Sequence, residues 1–275
     1  MKRAFVTGWP VSHSLSPALH GFWLENYRIN GSYEALPVEP SNFSAFLKNL
    51  VSSDFVGGNI TLPHKEVAFQ TLKNLDAEAK AIGAVNTIWL DQKGEVQGGN
   101  TDAYGFAANM DECAPQWRDG KRALVLGAGG ASRAIIHALR QVEYREIFIL
   151  NRTVQKAKSL AEKFGPACQF DDWNAAGEYI SGADIIINTT SVGMKGQDEL
   201  AMPELTAAKQ SAVVTDIVYT PLMTSFLQAA DKLGLKTVDG LGMLLHQAVP
   251  GFEKWFGIRP QVTGALRKFV LEQLP

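Results

Sequence analysis

The segment ALVLGAGGAS at 123–132 constrains this chain more than any other. A short apolar run of strand type meets Gly127, Gly129 and Gly130, and a helical pattern follows from Ala131 to about Arg140. Glycine lets the backbone approach a ligand without a Cβ, and the first turn of a helix offers unpaired N–H groups to an anion. Strand, glycine turn and helix in that order open a dinucleotide-binding unit. The third glycine of G-x-G-x-x-G would fall at position 132, where the chain has Ser132, small enough to allow close helix packing. On this segment alone, a tight turn with no ligand is the competing explanation.

The rest of the chain supports the nucleotide reading. Strand-like runs at 146–152, 183–188, 212–217 and 235–238 follow, with a further helix at 153–164, and together they read as βα units of an open, doubly wound sheet. In such a fold the second strand ordinarily ends in an acidic residue that binds a ribose 2′-hydroxyl. Here it ends in Asn151, Arg152 and Thr153, with Lys156 one turn on. No carboxylate repels a 2′-phosphate, and two cations can pair with one, so NADP is expected over NAD. The competing explanation is an ordinary solvated face.

The first hundred residues alternate as well. Strand-like runs lie at 3–7, 32–38, 55–60 and 85–90, and helical spacing at 17–26 and 42–50, each helix following a serine able to cap it. The alternation predicts a largely parallel sheet. Polar loops between these runs hold candidates for a small polyhydroxy acid: Ser14 and Ser16 in GWPVSHSLSP, Asn59, Thr61 and Lys65 in GGNITLPHKE, and Asn86, Asn100, Thr101 and Asp102 in AVNTI and GGNTDAYG. Plainer roles compete: Ser16 as a helix cap with Pro17 behind it, Lys65 as a surface residue, and Asp102 as the cap of a helix starting near Tyr104. A domain boundary is expected near 103–120, where 109–120 is polar and proline-containing, and 240–257 and 260–274 read as closing helices.

Composition removes other classes. With 26 Lys and Arg against 28 Asp and Glu, the chain lacks the basic excess that nucleic-acid binding needs. No apolar run reaches the ~18 residues of a membrane span, and the run after Lys2 and Arg3 is broken by Thr7, Gly8 and Pro10, so neither a membrane anchor nor a secretory leader is expected. Two cysteines, Cys113 and Cys168, point to the cytoplasm. The five histidines, His13, His20, His64, His137 and His246, show no ligand spacing, so no metal is assigned.

SHSLSP at 12–17, NITLPHK at 59–65, GAVNT at 83–87, GNTDAYG at 99–105, GAGGAS at 127–132, NRT at 151–153 and GLGMLLHQA at 240–248 together resemble the shikimate dehydrogenase family, NADP-dependent enzymes on the route to aromatic amino acids. The resemblance implies an α/β protein with a mixed α/β substrate domain over 1–105, a Rossmann-like doubly wound NADP domain over 106–239, and C-terminal helices over 240–275 returning to the first, with the active site in the cleft. It implies Ser14 and Ser16 on a substrate carboxylate, and Thr61, Lys65, Asn86, Asp102 and Gln247 on its hydroxyls. Tyr219 would line the site, and Lys65 and Asp102 would form the catalytic pair. On the cofactor side it implies Gly127, Ala128, Gly129, Gly130 and Ala131 at the pyrophosphate. Asn151, Arg152, Thr153 and Lys156 would meet the 2′-phosphate, and Ile217, Gly240 and Met243 the nicotinamide. Lys156 stands where the family often has Arg, a point charge in place of a planar fork. The implied reaction is NADPH-dependent reduction of 3-dehydroshikimate to shikimate by a monomer or homodimer. A dual quinate/shikimate enzyme that accepts NAD is the nearest alternative. A sensing module without chemistry has no reason to keep both Lys65 and Asp102.

Overall fold

The computed structural model describes residues 1–193 and 200–274 and divides into two compact units, Met1–Asp102 with Leu245–Pro275, and Ala103–Leu244. The first unit is built from β1 (Lys2–Gly8), α1 (Ser16–Asn26), β2 (Gly31–Pro37), α2 (Phe43–Asn49), β3 (Phe55–Ile60), α3 (Lys65–Thr71), β4 (Asn74–Leu75), α4 (Ala77–Ile82), β5 (Thr87–Leu90) and β6 (Val96–Gly99). Its sheet has the order β2-β1-β3-β5-β6-β4. The β1-β2 and β1-β3 pairs are parallel, but β3-β5 and β5-β6 are antiparallel, so the sheet is mixed and not the largely parallel one expected. The cause is local. Asp91 accepts the N–H groups of Lys93 and Glu95 in a tight turn, and strands joined by so short a turn can only run antiparallel.

The second unit opens with α5 (Asp102–Cys113), followed by β7 (Arg122–Leu126), α6 (Gly130–Gln141), β8 (Glu146–Asn151), α7 (Val154–Phe164), β9 (Cys168–Asp172), α8 (Ala176–Ile180), β10 (Ile185–Asn188), β11 (Val213–Asp216), α9 (Ser225–Lys232) and β12 (Lys236–Val238). The sheet order is β12-β11-β10-β7-β8-β9, parallel throughout, and it reverses direction between β7 and β10. Its inner strands, ALVL, IFIL, III and VV, are buried on both faces, as helix-covered parallel strands must be. The polar 109–120 stretch is the end of α5 and a 3₁₀ turn at Pro115–Asp119, inside the unit that starts at Ala103. Asp111 fastens the turn by accepting from Trp117 Nε1 at 2.8 Å and Arg118 Nε at 2.6 Å, while the buried Trp117 ring packs edge-on against Phe106. Its polar residues are the solvated side of a packed turn.

The chain closes with α10 (Leu241–Phe256) and α11 (Gly264–Leu271), the latter starting later than expected because Thr263 caps it. Within the first unit, Trp255 Nε1 donates to Ile88 O at 2.8 Å and Trp23 Nε1 to Gln261 O at 3.0 Å, which anchors the C-terminal segment. Among the described residues no helix is long and apolar enough to cross a membrane.

The first unit also encloses His20, fully buried between Tyr33, whose ring stacks on it at 4.0 Å, and Trp23, Phe252 and Trp255. Burial holds this imidazole down to about 3 from 6.5, the nearby Asn59 side chain opposing the shift without a well-formed hydrogen bond. Below pH 6.5 the unfolded chain takes up a proton that the folded chain refuses, so this group's contribution to stability is present above that pH and is lost as pH falls toward 3. The slope is at most about 1.4 kcal/mol per pH unit. Denaturant unfolding over that window is expected to show a steeper loss for wild type than for His20→Phe, the gap changing by about 1 kcal/mol per unit.

Candidate active site

Lys65 is the first residue of α3 and Asp102 the first of α5, and the fold brings Lys65 Nζ to 2.6 Å from Asp102 Oδ2. Their side chains are only 18% and 10% exposed, so the pair is far from the surface lysine that composition alone would suggest. The segment before Lys65 is fixed by His64, whose buried ring stacks on Phe43 at 4.2 Å and donates from Nε2 to Val38 O at 2.7 Å. Lys65 O accepts Val85 N–H at 3.0 Å, which ties α3 to the segment leading into β5. The plain capping role expected of Asp102 falls to Asn100, whose Oδ1 accepts the Asp102 N–H at 2.9 Å.

Asn86 sets the carboxylate. Its Nδ2 donates to Asp102 Oδ1 at 2.8 Å and to Thr101 Oγ1 at 3.0 Å, while its Oδ1 accepts from Thr87 Oγ1 and Thr101 N, both at 2.8 Å. All four amide positions are engaged by protein groups, so a substrate hydroxyl at Asn86 must share a donor already in use. Gln247 is buried beside this group, with Oε1 3.5 Å from Thr101 Oγ1.

The loop after β1 joins the loop after β3 through Trp9 N–H to Leu62 O at 3.0 Å, and Thr61 N donates to Thr7 O at 2.8 Å. Ser16 does not cap α1: it is the helix's first residue, and its N–H donates to Ser14 Oγ at 3.3 Å. Ser14 is half-buried and Ser16 buried, both at a helix N-terminus that favours an anion. Seven of the expected polar residues, Ser14, Ser16, Thr61, Lys65, Asn86, Asp102 and Gln247, thus lie in the first unit. Tyr219 lies in the second, where burial raises its phenol.

In the second unit the glycine loop sits at the point where the strand order reverses, the usual place for a ligand in such sheets. Gly127 has φ +110°, and a Cβ there would stand 2.6 Å from Thr189 Oγ1. Ser132, in the position of a third glycine, is fully buried and accepts the Gly129 N–H at 2.8 Å, with its hydroxyl 2.9 Å from Thr189 Oγ1. Asn151 Oδ1 accepts the Ala128 N–H at 3.2 Å. The loop is therefore held in shape by Ser132, Thr189 and Asn151, and only the Asn151 position was a sequence candidate. Gly129 and Gly130 face open space where a Cβ would lie, which leaves room for a phosphate against the first turn of α6. Arg152, Thr153 and Lys156 are exposed just beyond β8, a donor set suited to a 2′-phosphate. Ile217 follows β11, and Gly240 and Met243 stand at the start of α10.

Residues 6–88 match the shikimate dehydrogenase substrate binding domain, 112–242 the shikimate/quinate 5-dehydrogenase family, and 240–267 the shikimate 5′-dehydrogenase C-terminal domain. The chain belongs to the shikimate dehydrogenase family. It is 55% identical over 275 residues to a shikimate dehydrogenase (NADP(+)) of Brucella abortus, covering 99% of this chain and 95% of that protein. A Thermus thermophilus shikimate 5-dehydrogenase crystallised with NADP(H) and shikimate superimposes with a TM-score of 0.88 at 37% identity, covering both chains fully. A quinate dehydrogenase of Corynebacterium glutamicum in complex with NAD gives 0.89 at 28% identity, covering 98% of this chain and 99% of that one. The first match contains Ser14, Ser16, Thr61, Lys65 and Asn86; the second contains the glycine loop, the 151–156 segment, Ile217 and Tyr219; Asp102 falls between them.

Gly127→Ala places a Cβ both in a disfavoured φ and against Thr189. Thermal unfolding of this variant is expected to reveal a loss of about 1–3 kcal/mol, accompanied by weaker NADPH binding in a fluorescence titration.

Proposed function

We propose that this chain catalyses reversible hydride transfer between NADPH and the C3 carbonyl of 3-dehydroshikimate, giving shikimate. The observation that carries this reading is the part-buried Lys65–Asp102 pair at 2.6 Å, set among converging hydroxyls and amides. Its resemblance to enzymes named for NADP supports the cofactor, as do the glycine loop with open space at Gly129 and Gly130 and the cations at 152 and 156. The bound nicotinamide supplies the hydride, so the protein's share is orientation and one proton.

The N-terminal end of α1, with Ser14 and Ser16, takes the substrate carboxylate, since hydroxyls and a helix dipole both favour an anion there. Thr61 and Gln247 take ring hydroxyls. Lys65 has three N–H donors and Asp102 engages one, which leaves two for the substrate oxygen. As hydride reaches C3, the C3 oxygen becomes an alkoxide, and Lys65 Nζ transfers a proton to it. In the oxidising direction the same nitrogen takes the hydroxyl proton. Asn86 keeps the carboxylate aimed at Nζ, so the ammonium cannot rotate away. Arg152 and Lys156 pair with the 2′-phosphate and Asn151 and Thr153 flank it. Ile217, Gly240, Met243 and Tyr219 border the reacting rings. The two free cysteines support a reducing, cytoplasmic working compartment.

NADPH formation with shikimate, run beside quinate and beside NAD, tests the reading. Turnover confined to shikimate with NADP supports it; equal turnover with quinate or NAD moves the chain to the dual-specificity enzymes. Lys65→Ala should cut kcat at least ~100-fold while NADPH still binds, the contribution typical of a general acid or base. Arg152→Ala should raise KM for NADP about tenfold or more and leave KM for NAD unchanged, because only the phosphorylated cofactor uses that charge.

A further inference from the structure

Among the described residues, the second unit buries one carboxylate that the proposed chemistry does not use. Asp216 ends β11, is fully inaccessible, and faces no cation among the groups that contact it. Its Oδ1 accepts from Asn188 Nδ2 at 3.0 Å and from Val218 N at 2.9 Å, and its Oδ2 accepts from Thr224 Oγ1 at 2.8 Å. Burial raises its acid range and the three donors oppose that shift. A buried carboxylate without a cation is tolerated only where several donors converge on it, so these bonds are organised and not incidental.

Each donor belongs to a different part of the strand-end region. Asn188 ends β10, and its Nδ2 also reaches Val192 O at 3.1 Å while its Oδ1 accepts from Thr190 N and Oγ1, so it shapes the loop that follows β10. Val218 lies between Ile217 and Tyr219. Thr224 caps α9 by accepting the Leu227 N–H. The backbone at 216–217 is pinned further: Ile217 N donates to Asn188 O at 3.1 Å, and the bare face of Gly240 lies against Ile217 O and Asp216 O, where no Cβ fits.

We infer that Asp216 is a positioning residue for the nicotinamide end of the site: its carboxylate locks the 217–224 segment to the loop after β10 and so fixes Ile217 and Tyr219. This rests on the proposed placement of Ile217 and Tyr219 at the reacting rings. Asp216 touches neither substrate nor cofactor in this role.

The test separates the two ends of the cofactor. Asp216→Asn, of the same size, removes the negative charge and puts an amide N–H in place of one acceptor oxygen, so one of the three present donors must give up its bond or turn round. The expected result is a kcat lowered tenfold or more and weaker NADPH binding, with the affinity for adenosine 2′,5′-bisphosphate unchanged, because that fragment reaches only the glycine loop and residues 151–156. Thr224→Ala, which removes one donor, should show a milder version, and Thr224→Ser, which restores the hydroxyl, should recover wild-type kcat. If Asp216→Asn fails to fold, the Thr224 pair carries the test alone. Unchanged kcat, or equal loss of NADPH and of the bisphosphate fragment, overturns the inference. So does a failure of Thr224→Ser to recover what Thr224→Ala loses. Wild-type protein that binds NADPH but oxidises neither shikimate nor quinate would sink the reading of function itself, a result visible before any variant is made.

Discussion

A lysine and an aspartate that share so little water depend on every group around them. Removing charge from solvent costs several kcal/mol per ion, and attraction offsets this only where geometry is good and the remaining lone pairs are satisfied. Asn86 supplies that satisfaction and cannot turn over, because Thr101 N–H requires an oxygen where Oδ1 lies, which fixes Nδ2 on Asp102. Beneath it the same logic repeats. Tyr33 Oη donates to Asn59 Oδ1 at 2.6 Å, Asn59 Nδ2 donates to Thr87 Oγ1 at 3.2 Å, and Thr87 donates to Asn86 Oδ1. Every donor in this series points toward Asp102, so each bond polarises the next and the accumulated polarity ends on the carboxylate that holds Lys65.

The second unit solves a different problem by related means. Its inner strands are apolar along most of their length, which decides only that a parallel sheet forms and is covered by helices. The polar residues that end β8, β10 and β11 decide the loops. Asn151 at the end of β8 holds Ala128 of the glycine loop, and Asn188 at the end of β10 meets Asp216 at the end of β11. Ligands gather at the C-terminal ends of such strands because the hydrogen-bonding residues are concentrated there, where the apolar ladder stops.

Much of this was legible in the chain and some was not, for identifiable reasons. Apolar runs identified the inner strands of the second sheet and β1, β3 and β5 of the first. The missed strands carry no such signal: β4 is two residues, β6 is VQGG with two poor strand formers, and β9 ends in two aspartates. Parallel pairing in the first sheet was expected from alternation, and the Asp91 turn that reverses it looks like any loop until its hydrogen bonds are known. Lys65 and Asp102 stand 37 positions apart, so spacing could never have paired them; the resemblance to a family did. Ser132 was noted for its size, whereas its hydroxyl matters as much. Asp216 was overlooked because a single acid at a strand end is common, and only its full burial makes it unusual.

The superposition on both an NADP–shikimate enzyme and a quinate dehydrogenase with NAD, at nearly equal TM-scores, means that the backbone does not carry the specificity. It rests with a few side chains, and the two choices differ in kind. Preference for a 2′-phosphate comes from added attraction, and a charge-assisted pair at Arg152, the residue proposed to meet it, would be worth roughly 1.5–3 kcal/mol, enough for a ten- to hundredfold bias. Preference against quinate asks the carboxylate end to reject a molecule that merely adds a hydroxyl, and pockets do this poorly unless a polar group is left unpaired. Ser14 and Ser16 are hydroxyls themselves and can satisfy such an addition. The cofactor choice is therefore expected to be the stricter of the two in this chain, and the substrate choice the one that drifts within the family.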